Sequence, residues 1–80
     1  MPGLSKYLAA QLASFAERVR KIELRKAPSI AEAIDWARAL LLLGASALDA
    51  RVASDTLGVL LKHEEDRAKA EAKLGALIAP

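Results

Sequence analysis

Apolar residues recur along the chain at spacings of three and four, the period of an amphipathic α-helix. The clearest case is the segment from about Lys6 to Ile22, which the pattern predicts to be the first helix. Its other face is charged, so one side is expected to be buried and one solvated. No segment alternates with a period of two, and the pattern therefore predicts no strand. The apolar stripe consists of Leu8, Leu12, Phe15, Val19 and Ile22.

A second helix is predicted between Ser29 and Leu43, with clear signals at both ends. Ser29, followed three residues later by Glu32, is a capping box in which each side chain accepts a backbone N–H of the other residue. Pro28 disfavours a helical conformation of the residue before it, and Gly44 can adopt the left-handed conformation that ends a helix. Because apolar residues cover most of this segment, we expect it to be the buried central helix. The predicted core stripe is Ile30, Ile34, Ala37 and Leu41, widened by Ala33, Leu40 and Leu43, with Trp36 and Leu42 off it.

The next segment is predicted to form one or two short helical turns. Asp49 is a suitable N-cap for a brief helix that reaches Leu57, and Asp55 can cap a further turn. Gly58 is expected to interrupt the helix and redirect the chain.

The last long helix is predicted from about Lys62 to Ala76, and residues 77–80 are expected to fray. The acidic run Glu64–Asp66 suits the positive end of the helix dipole. We interpret it, with the neighbouring His63, as a solvated patch and not as a metal site, because adjacent helical residues point in different directions. The opposite-charge pairs expected at i, i+4 are Glu65 with Lys69 and Arg67 with Glu71.

Composition limits the class of protein. The chain has 80 residues, enough for one domain, and its 54% apolar content is rich in alanine. It has no cysteine, and therefore no disulfide framework and no thiolate metal site. The longest apolar run, Ala39 to Leu43, is far shorter than the roughly 20 residues that span a bilayer, and the N-terminus lacks a signal-peptide pattern. A formal charge of +2 is too weak to indicate nucleic acid. We expect a cytoplasmic all-α protein: a small helical bundle with about three long helices and no membrane or nucleic-acid partner.

No catalytic constellation emerges from the residues. The four glycines are scattered, so there is no phosphate loop, and the serines have cap, turn or surface explanations. Asp35 and Arg38 are spaced to form an ion pair on one helix face. Trp36 between them has two interpretations. It is either a core anchor or a partly exposed aromatic that, with Arg38, forms an interface for a partner.

Four segments of the chain together carry a resemblance to a known protein family. Residues 26–40 read KAPSIAEAIDWARAL, residues 56–62 read TLGVLLK, the tetrapeptide PGLS starts at Pro2, and Glu65-Asp66 follow. From Pro2 to about Arg67 the chain resembles the C-terminal region of MoxR-type AAA+ ATPases. The resemblance implies an AAA+ lid domain, a small helical bundle that follows an αβα nucleotide-binding core and closes over ATP and Mg²⁺. The Walker motifs, first sensor and arginine finger would belong to that core, so we expect this chain to be the lid fragment of a longer ATPase.

The resemblance also implies partners and site residues. MoxR-type ATPases form rings, usually hexamers, and act as chaperone-like remodelling machines, often with a von Willebrand factor A partner. By this resemblance Ser29, Ile30 and Glu32 form a wall of the nucleotide site. Many AAA+ lids carry a second-sensor arginine near this helix start, but this chain has none there. Arg25 and Arg38 are the possible substitutes.

Two other functions compete with the lid. The first is a stand-alone helical interaction module that would use Trp36 and an exposed apolar face of the first helix, and would therefore self-associate. The second is a helix-turn-helix DNA binder built from Asp49–Leu57 and the last helix, in which Glu64–Asp66 would repel phosphates. The face proposed for self-association consists of Leu8, Leu12, Phe15 and Val19.

Overall fold

The computed structural model describes residues 3–78, which form five α-helices and no strand. The predicted all-α bundle is therefore confirmed. The helices are α1 (Lys6–Val19), α2 (Ile30–Leu42), α3 (Ala50–Leu60), α4 (Glu64–Ala72) and α5 (Leu74–Ile78).

Helix α1 has the predicted buried stripe. Ser5 caps its start by accepting a 3.1 Å hydrogen bond from the Leu8 amide. The helix ends at Val19, and Ile22, in the following loop, packs only partly buried against the core. Because the stripe is core, the prediction that it forms an exposed surface for self-association is wrong. The buried stripe is Leu8, Leu12, Phe15 and Val19.

Both predicted end signals of α2 are confirmed. The Ser29 Oγ accepts from the Glu32 amide at 3.1 Å, and the Glu32 carboxylate accepts from the Ser29 amide at 2.9 Å. At the other end Gly44 has φ +71°, a conformation that favours glycine. The amides of Gly44 and Ala45 bond back to carbonyls of the last turn, which completes a Schellman motif. These local signals fix the limits of α2.

The predicted core face of α2 is confirmed at Ala37 and Leu40 but wrong at Ile30 and Ile34. The buried residues are Trp36, Ala37 and Leu40, whereas Ile30 is 73% exposed and Ile34 is 40% exposed. The helix packs closely on α3 and is not enclosed on several sides. Because apolar residues surround most of α2, hydrophobicity alone selects no face. The large indole of Trp36 takes the inward position instead.

Helix α3 is longer than predicted. Asp49 is its N-cap, as expected, and its carboxylate accepts from the Val52 amide at 2.8 Å. The helix then continues through Gly58 to Leu60, so the predicted interruption is wrong. A glycine costs only about 1 kcal/mol in a helix interior, and burial of Leu57 and Leu60 on either side outweighs that cost.

The predicted last helix is two helices. A break at Lys73 separates α4 from α5, which turns the chain so that α5 packs on α1 and α3. Leu74 and Leu77 of α5 are both buried. Fraying was predicted from residue 77, but Leu77 and Ile78 belong to α5. Residues 79–80 lie outside the described range.

The core has one aromatic centre. The rings of Phe15 and Trp36 are 4.9 Å apart between centroids and inclined at 46°. The main helix contacts are α2 with α3 and α1 with α5. Thus α1 and α2, although consecutive, have fewer close backbone contacts with each other than with these partners, and the Phe15–Trp36 pair joins them.

Candidate functional site

An open apolar groove of about 280 Å³ separates α1 from α2. On the α1 side the lining is mostly alanine, at spacings that place these residues on one helix face. Alanine side chains are too short to reach α2, so the two helices leave a gap. The groove is lined by Leu4, Ala9, Leu12, Ala13, Ala16, Arg20, Ile30, Ala33, Ile34, Trp36 and Ala37.

The α2 wall of the groove is the face that the sequence pattern predicted to be core. Ile30, Ala33, Ile34 and Ala37 follow the helical spacing of three, one and three residues and line the groove together. The pattern therefore identified a coherent apolar face but not what it contacts. Two exposed isoleucines at the edge of a groove are a typical feature of a surface that another protein segment covers.

One cation lies at the mouth of the groove. Arg20, in the turn after α1, is exposed and lines the groove. Within residues 3–78 its guanidinium forms no ion pair. A covering surface could therefore offer a carboxylate to Arg20 beside its apolar contacts.

The three residues predicted to form a wall of the nucleotide site differ in whether their side chains can contact a partner. Ser29 and Glu32 bond to each other in the capping box. The hydrogen bond from the Ser29 amide holds the pKa of Glu32 below its usual value. Only Ile30 has a side chain that lines the groove. Of the three, Ile30 is the one positioned to contact a covering partner.

The two predicted sensor substitutes form separate ion pairs. The Arg25 guanidinium lies 2.8 Å from Glu65 on α4, and this hydrogen bond raises the pKa of Arg25. Arg38 lies 3.9 Å from Asp35, which is the pair expected from the sequence. All four side chains are more than half exposed, so each pair adds little stability. Neither arginine lines the groove.

Trp36 is a core residue, as one of its two interpretations held. Its side chain is 1% exposed, and its Nε1 donates a 2.7 Å hydrogen bond to Thr56 Oγ1 on α3. The prediction of a partly exposed indole at an interface is therefore wrong. Trp36 contributes only to the floor of the groove.

Asp66 is buried, contrary to the prediction from its acidic run. It was assigned to a solvated patch, yet its side chain is 0% exposed. Its two carboxylate oxygens accept hydrogen bonds from the backbone amides of Arg25 and Lys26, at 2.8 and 3.0 Å. A signal existed in the sequence, because Asp66 shares the buried helical face with Ala70 and precedes Leu74 and Leu77 at helical spacing.

The charge of Asp66 is retained despite its burial. Burial by itself raises the pKa of the carboxyl group. The two amide hydrogen bonds, helped by His63 and Lys69, outweigh that effect and hold the pKa of Asp66 below its usual value. The carboxylate is therefore ionised at neutral pH and able to accept both hydrogen bonds.

The predicted ion pairs within α4 do not form. Instead, each of the four side chains bonds to a residue outside α4. The observed partners are Arg25 for Glu65, the Glu23 carbonyl for Lys69, the Leu61 and Lys62 carbonyls for Arg67, and Ser54 for Glu71. Charges on α4 thus hold other segments in place.

The described part of the chain offers no metal site, no membrane span and no favourable DNA-binding surface. No group of three or more acidic or histidine side chains could hold a metal ion. None of the helices is both long and apolar enough to cross a membrane. The helix pair α3–α4 has the short connection of a helix-turn-helix, but Glu64 and Glu65 are exposed at the start of its second helix and would repel DNA phosphates.

Comparisons with protein families, with curated protein sequences and with solved structures found no match.

Proposed function

We propose that this chain is the helical lid of a MoxR-type AAA+ ATPase. In this role it packs its groove against an upstream αβα core, closes over ATP bound there and couples hydrolysis to chaperone-like remodelling. The family assignment is supported by the resemblance of residues 26–40. The observation that carries the proposal is the apolar groove between α1 and α2, with Ile30 and Ile34 exposed at its edge.

The groove and the expected nucleotide wall are adjacent. Ile30 is the first residue of α2 and also lines the groove. A core that covers the groove would therefore also contact the first turn of α2. Full burial of an exposed isoleucine stabilises a contact by about 1.5–3 kcal/mol, and Ile30 and Ile34, which are 73% and 40% exposed, would contribute correspondingly less. Closure of the lid would thus be driven by apolar burial next to the nucleotide.

The chain has a mechanical role in this proposal and no catalytic one. Its capping-box side chains are engaged with each other, and Arg25 and Arg38 are paired with carboxylates. ATP and Mg²⁺ would accordingly be held by the core, with the lid as one wall. The remaining partners are neighbouring ring subunits and a von Willebrand factor A protein, and the assembly is placed in the cytoplasm.

ATP turnover tests the proposal. The chain, joined to or mixed with its upstream core, should raise steady-state turnover above that of the core alone. The double substitution Ile30→Glu with Ile34→Glu should lower it about tenfold or more, because loss of two interface anchors costs more than 1 kcal/mol each. Leu42→Glu is the matched control, since Leu42 is 89% exposed on the same helix but does not line the groove. Turnover that is unchanged by addition of the chain would refute the lid role.

A stand-alone interaction module is the second candidate, and the same groove favours it. In that case a second copy or another helix would occupy the groove without any ATPase core. Sedimentation at high concentration distinguishes the two. A dimer that Ile34→Glu dissociates would favour the module, whereas a monomer at all concentrations would refute self-association.

A further inference from the structure

Three side chains of α4 contact the loop between α1 and α2. The buried carboxylate of Asp66 binds the amides of Arg25 and Lys26, Glu65 pairs with the Arg25 guanidinium, and Lys69 Nζ donates to the Glu23 carbonyl at 3.0 Å. We call Glu65, Asp66 and Lys69 the α4 clamp. All of its contacts reach the loop of residues 20–29, about 40 residues earlier in the chain.

Asp66 is the dominant member of the α4 clamp. The ion pair of Glu65 and the Lys69 contact are exposed, and exposed charge contacts contribute little. The Asp66 carboxylate is fully buried and holds two successive backbone amides. Hydrogen bonds from backbone N–H to a buried carboxylate are charge-assisted and strong. The loop is therefore fixed mainly at Arg25 and Lys26.

The fixed point lies close to the groove along the chain. Lys26 lies three residues before the N-cap Ser29, which limits the distance between their Cα atoms to about 11 Å. One of the residues between them, Pro28, is buried and has a fixed φ. Ile30, which lines the groove, follows directly. A displacement at Lys26 would thus be transmitted to the first turn of α2.

We propose that Asp66 is a positioning residue for the groove: by holding the amides of Arg25 and Lys26 it sets the place of the first turn of α2 opposite α1. Since α1 and α2 have few close backbone contacts with each other, the loop between them helps to set their separation. The functional role of this positioning rests on the proposed function, in which the upstream core packs against the groove. Its test uses the chain alone and can fail separately from the ATPase assay.

Amide NMR of the chain tests the proposal with Asp66→Asn. An asparagine offers one oxygen to two donors and turns its NH₂ toward the other amide. We expect the signals of Arg25 and Lys26 to move, together with those of Ile30, Ala33 and Ile34 in the groove. Glu65→Gln is the matched control, which removes only the exposed pair and should leave the groove signals in place. Changes confined to the loop and α4 in Asp66→Asn would overturn the proposal.

A second measurement covers the case in which Asp66→Asn does not fold. The amide signals are followed as the pH falls in Glu32→Gln, because glutamine can still serve in the capping box while the second carboxylate with a lowered pKa is removed. The charged groups that face Asp66 are Arg25, His63 and Lys69. Over the pH range in which the buried Trp36 indole signal shows that the chain is still folded, the groove amides should titrate with the same midpoint as the Arg25 and Lys26 amides. Groove signals that stay fixed while the loop signals titrate would refute the positioning role.

Discussion

The indole Nε1 of Trp36 donates a 2.7 Å hydrogen bond to Oγ1 of Thr56, and both side chains are buried. The Thr56 hydroxyl in turn donates to the Val52 carbonyl at 2.8 Å. Its single proton is directed along its own helix α3, and its oxygen is left to accept from α2. This contact selects which side of the largely apolar α2 faces the core.

Thr56→Val should destabilise the fold although it keeps the shape of the side chain. It leaves the buried Trp36 N–H without an acceptor, which costs about 1–3 kcal/mol. Urea unfolding followed by fluorescence measures the change directly, because Trp36 is the only tryptophan. Thr56→Ser, which retains the hydroxyl, is the control and should lose clearly less. Equal losses in both variants would show that the hydrogen bond is not the stabilising feature.

Two glycines should respond to alanine in opposite ways. Gly44 has φ +71°, so Gly44→Ala should destabilise by about 1–2 kcal/mol through backbone strain alone, since no atom lies within 4 Å of the added Cβ. Gly58 lies within α3, and a Cβ there meets only Arg67 Cδ at 3.9 Å. Gly58→Ala should therefore stabilise by about 0.5–1 kcal/mol. Thermal unfolding gives both values, and destabilisation by Gly58→Ala would contradict a continuous α3.

Removal of the capping serine should shorten α2 at its start. Ser29→Ala leaves the Glu32 amide unpaired and should lower the free energy of unfolding by about 1 kcal/mol. Ser14→Ala is the control, because Ser14 is exposed within α1 and alanine is the better helix former. Denaturant midpoints report both. A Ser29→Ala protein as stable as wild type would mean that contacts of the loop, and not the cap, hold the first turn.

Acid should unfold the chain through Asp66 and Glu32. The pKa of each lies below its usual value, 3.8 for Asp and 4.5 for Glu. The unfolded chain therefore takes up protons before the folded one does. The stability from these carboxylates is present in full above about pH 5 and is lost as the pH falls through the lowered pKa values.

The test of the acid response is a comparison with Asp66→Asn. Urea midpoints measured from neutral pH down to about pH 3 should converge for the two proteins, because wild type loses in acid what the variant lacks throughout. Parallel pH curves for wild type and variant would show that the Asp66 carboxylate makes no special contribution to stability.

The local features of this fold were predictable from sequence. The capping box at Ser29, the cap at Asp49, the stop at Gly44 and the stripe of α1 each depend on residues within one or two helical turns. Such features are set by backbone geometry and short-range hydrogen bonds, and the sequence displays both partners side by side.

The features that depend on distant partners were not predictable in this way. The inward face of α2 is selected by Thr56, 20 residues further on, and Asp66 finds its donors about 40 residues earlier. A helical pattern states which residues share a face but not which face meets the core. The groove was hidden for the same reason, since the stripe of Ile30 and Ile34 was assigned to the core.

The docking of α5 on α1 has a consequence for the order of folding. Arg18 Nη1 donates to the Leu77 carbonyl across 59 residues, so this contact closes a loop of about three quarters of the chain. A helix of five residues does not form in isolation, and the entropy of closing so long a loop delays the contact. The pairing of α2 with α3 is local and can form early, while α5 becomes helical only as it reaches α1. We therefore expect the docking of α5 to be a late step of folding, which buries Leu74 and Leu77 after α2 and α3 have paired.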